Sequence, residues 1–132
     1  MKKDEYTRVV EDLQRRHIPG GVKRAVEALL DKKAERITVL KLKGLSEMTD
    51  YLVVCSGNSS RQNRALADAV RDELKKDLHM QPLGSEGETA AEWILVDYVD
   101  FIVNIFSAEW RKKYALEKLW MDAKRYDFST DF

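Results

Sequence analysis

Asp97 and Asp100 flank a tight connection within GSEGETAAEWILVDYVDFIVNIF, Gly84 to Phe106, where paired carboxylates would be the means of holding a divalent cation. Their spacing of three suits joint coordination poorly, because side chains on one face of a strand differ by two positions. The turn Cys55-Ser56-Gly57-Asn58-Ser59-Ser60-Arg61 suggests a second chemistry. A strand that ends in small residues and opens a helix can present backbone donors to a phosphate. The turn lacks the glycines and lysine of a P-loop and the glycine spacing of a dinucleotide fingerprint, so a well-capped strand-to-helix turn is the better reading. His17 and His79 are far apart, each at an expected helix end, and neither has neighbours at metal-ligand spacing. Cys55 lies in an apolar strand, where a thiol is inert core. These residues predict no catalytic centre, no metal and no cofactor.

Recognition is the chemistry that remains. From Asp77 to Trp110 the chain has no Lys or Arg but seven carboxylates, although 23 basic and 23 acidic residues balance overall. These are Asp77, Glu86, Glu88, Glu92, Asp97, Asp100 and Glu109. Charge segregated in this way favours a partner with a basic surface. Trp93 opens a strand, Tyr98 closes it, and Tyr114 and Trp120 lie on or just past the last helix. Trp and Tyr within a polar rim are the usual anchors of an interface. Trp110, one turn before Tyr114, is assigned to the core by its helical spacing.

The elements that must position these residues follow from periodicity. Tyr6, Val9, Val10 and Leu13 predict a short helix over 4–16, which His17-Ile18-Pro19-Gly20-Gly21 breaks, so it reads as an extension on a flexible joint. Val22, Ala25, Val26, Leu29 and Leu30 form the apolar face of a second helix. ERITVLKLK alternates as a strand with one polar side, and YLVVCS is a continuous apolar run suited to a strand buried on both faces. Ser59 with Gln62 has the form of a capping box for a helix whose stripe is Leu66, Val70, Leu74 and Leu78. Residues 92–98 and 100–106 predict an antiparallel hairpin, with Val99 at a turn that would favour Gly or Asn. Ser107 caps a last helix through about Trp120, and the tail from Met121 to Phe132 has no periodicity. The order α-α-β-β-α-β-β-α predicts an α/β fold, one mixed sheet flanked by helices. A β-α-β unit through 51–98 would cross over right-handed if its strands are parallel neighbours. The domain divisions expected are 1–20 as helical extension and hinge, 21–123 as the domain, and 124–132 as a tail.

A chain of 132 residues with 44% apolar and 35% charged content is sized for one globular core. Its apolar runs are too short to span a bilayer, and the N-terminus has no secretory apolar segment. One cysteine fits a reducing cytoplasm. Charge neutrality argues against non-specific nucleic-acid binding.

Three motifs in series, ALLDKKAERITVLKLKGLSEMTDYLVVCSGNSSRQNRALAD, PLGSEGETAAEWILVDYVDFIVNIF and YALEKLW, resemble the ribosomal silencing factor family, RsfS or Iojap, from about Val22 to Ala123. The resemblance implies a nucleotidyltransferase-like fold without its activity, since the paired D-x-D carboxylates are missing. It implies a non-enzymatic repressor of translation that binds ribosomal protein L fourteen of the large subunit and blocks subunit joining. Against that partner the candidate contacts are Trp93, Asp97, Tyr98, Asp100, Tyr114, Lys118 and Trp120. Trp93 and Trp120 would be anchors, the carboxylates would steer, and Lys118 would meet a carbonyl or acid. The family commonly has DYGD and VHIF or VHVF where this chain has Asp97-Tyr98-Val99-Asp100 and Val103-Asn104-Ile105-Phe106. The competing expectations are a divergent nucleotidyltransferase-like enzyme, with phosphate at Ser56 to Arg61 and magnesium at Asp97 and Asp100, and a structural homodimer.

Overall fold

The computed structural model describes residues 4–128. Two helices, α1 (Glu5–Arg15) and α2 (Gly20–Asp31), precede β1 (Glu35–Lys41), β2 (Tyr51–Gly57) and the long helix α3 (Ser60–Leu78). Then come β3 (Gly84–Glu86), β4 (Trp93–Asp97), β5 (Phe101–Ser107), α4 (Ala108–Tyr114), α5 (Leu116–Leu119) and β6 (Lys124–Phe128). The strands form one sheet in the order β3-β4-β5-β2-β1-β6, in which only β2 and β5 pair in parallel. The expected mixed α/β architecture is present. The crossover is different: the parallel neighbour of β2 is β5, so α3, β3 and β4 are all traversed before the chain returns.

Alternation along the strands divides the apolar residues between two cores. Val39, Val53, Cys55, Ile94, Val96, Val103 and Ile105 share a core with Val26 and Leu29 of α2 and with Leu66, Val70 and Leu74 of α3. Leu40, Leu52, Val54, Ile102 and Phe106 form a second, smaller core on which Trp110, Leu116 and Trp120 pack. With both faces covered, β2 is buried at every position, as its unbroken apolar run predicts. β1 was expected to keep one polar side, yet Thr38 and Leu40 are as buried as Ile37 and Val39 because α4 and α5 roof that face.

The start of the chain is integral to the main core. Asp4 caps α1 by accepting from the Thr7 amide at 2.8 Å, and Leu13 and Ile18 are buried against α2 and the sheet. The expected loosely jointed extension is therefore corrected: Gly20 and Gly21 form the first turn of α2, and Gly21 lets Phe101 and Met80 approach where a Cβ would stand 2.8 Å from the Phe101 ring. The expected irregular tail is corrected too, since Lys124–Phe128 adds to β1 as an edge strand with Tyr126 and Phe128 buried. Its last four residues lie outside the described region. The last helix does not run unbroken to Trp120: Ala115, at φ +43°, ends α4 and turns the chain into α5. Among the described residues, no helix is long and apolar enough to cross a membrane.

Candidate docking face

Strand alternation sends Ile94 and Val96 of β4 into the main core and turns Trp93, Leu95 and Asp97 to the opposite face. There Trp93 stacks on Phe106 with centroids 4.8 Å apart and meets Tyr114 at 4.9 Å, while Tyr114 lies 5.3 Å from Trp110. The Ser107 hydroxyl starts α4 by accepting from the Trp110 amide at 3.3 Å, which directs Trp110 and Tyr114 toward the sheet. Beyond the Ala115 turn, Leu116 and Trp120 pack on the same core. Trp93, Trp110 and Trp120 are all half-buried, and beside them Tyr114, Leu119 and Met121 are exposed, the last two by 70% and 80%. The Lys113 ammonium rides over Trp110 and Tyr114 at 5.5 and 5.6 Å from their centroids.

Trp93 and Trp110 are alike in burial: both are half-buried and pack on the smaller core. Both belong to one aromatic ladder, linked through Tyr114. Sequence spacing missed this because helical periodicity reports which side of α4 faces the protein, not how much of that side a short helix covers. It also missed Arg111. That side chain is buried beneath α4 and donates to the Arg36 carbonyl at 2.6 Å, the Ser56 hydroxyl at 3.2 Å and the Glu117 carboxylate at 3.2 Å. Arg111 thereby holds α4 and α5 down on the sheet. The only signal for it was Glu117 six residues on.

The acidic window separates into two groups. Asp77 is bound by Arg24 at 2.7 Å and Glu88 by Arg71 at 2.7 Å. The Arg24 hydrogen bond holds the Asp77 carboxyl below its ordinary value. Glu86, Glu92, Asp97, Asp100 and Glu109 make no ion pair among the described residues. Of these, Glu86, Glu92, Asp97 and Asp100 lie along the β3–β4 edge or the adjoining turn. The face is thus acidic along that edge, aromatic in the middle and basic where Lys112, Lys113 and Lys118 project from α4 and α5.

At the end of the hairpin Asp97 accepts from the Val99 amide at 2.7 Å, and the Asp100 amide donates to the Tyr98 carbonyl at 2.9 Å. With Val99 at φ +73° this is a γ-turn of the strained, positive-φ kind. The Thr49 hydroxyl steadies it by donating to the Val99 carbonyl at 3.0 Å. Tyr98 is not on the docking face. It is buried in the main core, stacked on Phe101 at 4.9 Å, with a hydroxyl that has no partner. Burial pushes that phenol up to about 12. As a candidate contact it is corrected to a core residue.

The other candidates lie apart from one another. β2 and β5 run parallel from Tyr51 opposite Phe101 to Gly57 opposite Ser107, so Asp97 and Asp100 lie near one end and the Ser56 to Arg61 turn at the other. Six residues of strand separate those ends by about 20 Å. The turn caps its helix: the Gln62 amide donates to the Ser59 hydroxyl at 3.0 Å and the Asn58 amide to the Gln62 side chain at 2.5 Å. Cys55 is buried, and desolvation pushes its thiol up to about 12. Among the described residues no group of three or more His, Cys or carboxylate side chains is placed to hold a metal.

Comparison with known proteins agrees along nearly the whole chain. A Bacillus subtilis protein named ribosomal silencing factor RsfS is 40% identical over 106 residues, 80% of this chain and 89% of its own length. A mouse protein named for mitochondrial assembly of the ribosomal large subunit is 30% identical over 100 residues, 72% of this chain and 42% of its own. A crystal structure of a Chromobacterium violaceum protein superposes with a TM-score of 0.76 at 34% identity, covering 88% of this chain and 95% of that one. Residues 15–131, from the end of α1 through β6, match the family described as ribosomal silencing factor during starvation, and the chain belongs to that family, RsfS.

Proposed function

We propose that this protein docks on the large ribosomal subunit at ribosomal protein L fourteen and prevents the small subunit from joining, so repressing translation without catalysis. The observation that carries the reading is the half-buried aromatic ladder of Trp93, Tyr114 and Trp110, with Trp120 packed on the same core, edged by unpaired carboxylates. Half-buried tryptophans with an exposed Leu119 and Met121 beside them form an apolar centre within a charged rim, the anatomy of a protein interface. Family membership and the mouse relative's name direct that interface to the ribosome. Asp97, Asp100, Glu86 and Glu92 would steer the encounter with a basic ribosomal protein, while Lys118 would meet an acceptor at the opposite rim. Blocking by occupancy needs no cofactor, and the action belongs in the cytoplasm. Sucrose-gradient sedimentation with purified subunits tests it: a molar excess of protein should travel with the large subunit and deplete joined ribosomes. Undiminished joining, with no protein in the large-subunit fractions, refutes the reading.

A further inference from the structure

A cavity of about 570 Å³ opens between the first residues of β1, the carboxyl end of β2 and the α4–α5 pair. Arg36, Arg111, Lys112 and Lys118 line it against Glu35 and Glu117. Glu117 is committed to Arg111, which leaves Arg36, Lys112 and Lys118 without an ion pair among the described residues. Arg36 owes its place to the backbone: at φ +50° it occupies a bulge where β1 slips register against β2 between Glu35 and Thr38. Bulges commonly re-aim a side chain beside a site. Arg111 spends four of its five N–H groups on Glu117, the Arg36 carbonyl, Ser56 and Thr38, so one Nη2 hydrogen is left for a ligand. The cavity also lies where the chain diverges. After the parallel neighbours β2 and β5, α3 packs on one face of the sheet and α4 on the other. In α/β sheets such divergences at carboxyl ends of strands are where ligands enter.

We propose that this cavity binds a small phosphate ester of nucleotide size. Its volume falls in the range of small-molecule sites, about 300–1,000 Å³. Arginine and lysine not taken up in ion pairs are groups that recognise phosphate oxygens. Glu35, in the lining, supplies an acceptor for a ligand hydroxyl or base N–H. The proposal does not depend on ribosome docking and is read on the isolated protein.

Isothermal titration of the purified chain with ADP, GDP, CDP and UDP in turn, beside adenosine and a short single-stranded RNA at equal ionic strength, is the test. At least one diphosphate should bind saturably at one per chain, adenosine should not, and Arg36→Gln with Lys112→Gln should weaken binding about tenfold or more. Both side chains are exposed, so the double variant should melt like the parent; Lys112→Glu alone serves if it does not. No saturable binding of any diphosphate at millimolar concentration overturns the proposal. So does equal affinity of parent and variant, binding of adenosine as tight as ADP, or binding of the RNA alone.

Discussion

The indole N–H of Trp93 donates to the side-chain oxygen of Asn104 at 3.0 Å, tying a residue of the open face to one buried beneath it. The contact is diagonal, because Trp93 pairs with Phe106 and Asn104 with Leu95. The Asn104 amide nitrogen is anchored in turn on the Ile102 carbonyl at 3.3 Å. Trp93 is therefore held in place before any partner arrives.

Asn104→Leu leaves that indole N–H without its acceptor and should cost about 1–3 kcal/mol. Asn104→His, which keeps an acceptor nitrogen, should lose less. Urea midpoints of the two variants decide it, and equal midpoints would mean that the bond contributes nothing.

Trp93→Ala should lower both stability, by about 2 kcal/mol, and large-subunit binding, because the side chain packs on Phe106 and Tyr114 yet stays only half-buried. Leu119→Ser with Met121→Ser removes only exposed apolar surface, so stability should stay within about 0.5 kcal/mol while co-sedimentation with large subunits falls. Binding untouched by the second variant would place the partner elsewhere.

Asp100→Lys should weaken docking with the melting curve unchanged, since the side chain is exposed and makes no ion pair. Asp97→Lys should also cost about 1 kcal/mol of stability, the scale of a lost side-chain cap, because its carboxylate holds the Val99 amide. Salt titration of the binding isotherm checks the electrostatic origin: the gap between parent and Asp100→Lys should close as salt rises.

Val99→Gly should stabilise the protein by about 1 kcal/mol. A β-branched residue at φ +73° bears a steric cost that glycine lacks, partly offset by glycine's freer unfolded chain. An unchanged or lowered denaturation midpoint would show that the turn carries no strain.

Stability should fall as pH rises above about 9. Burial raises Cys55 from 9.0 and Tyr98 from 10.0, each up to about 12, so both stay protonated in the folded state while the unfolded chain ionises. The loss begins near the unfolded values and continues until the folded groups titrate. Tyr98→Phe should be at least as stable as the parent at neutral pH, because it removes a buried hydroxyl without a partner, and should flatten part of the alkaline decline. A parent curve level from pH 8 to 11 would contradict this.

Local pattern by itself determined the helices and strands whose periodicity is strong. The apolar run Tyr51 to Ser56 had to be a central strand, Ser59 with Gln62 had to start a helix, and the seven carboxylates without a Lys or Arg made one region acidic. These features rest on interactions within a few residues. Val99 was legible as an anomaly for the same reason, and the motif series was enough to suggest the family.

Tertiary structure decided what depends on coverage and on distant partners. Lys124–Phe128 has no pattern of its own and is a strand because β1 offers an unpaired edge. Tyr98 and Trp93 fall on opposite faces by strand alternation, but only the fold shows that the Tyr98 face is covered, against Phe101, while Trp93 over Phe106 stays half-buried. Which acids are free depended on Arg24 and Arg71, helix residues that sequence distance hides from Asp77 and Glu88. The open aromatic face itself exists because α4 and α5 are too short to roof it, a fact of three-dimensional area that no one-dimensional pattern contains.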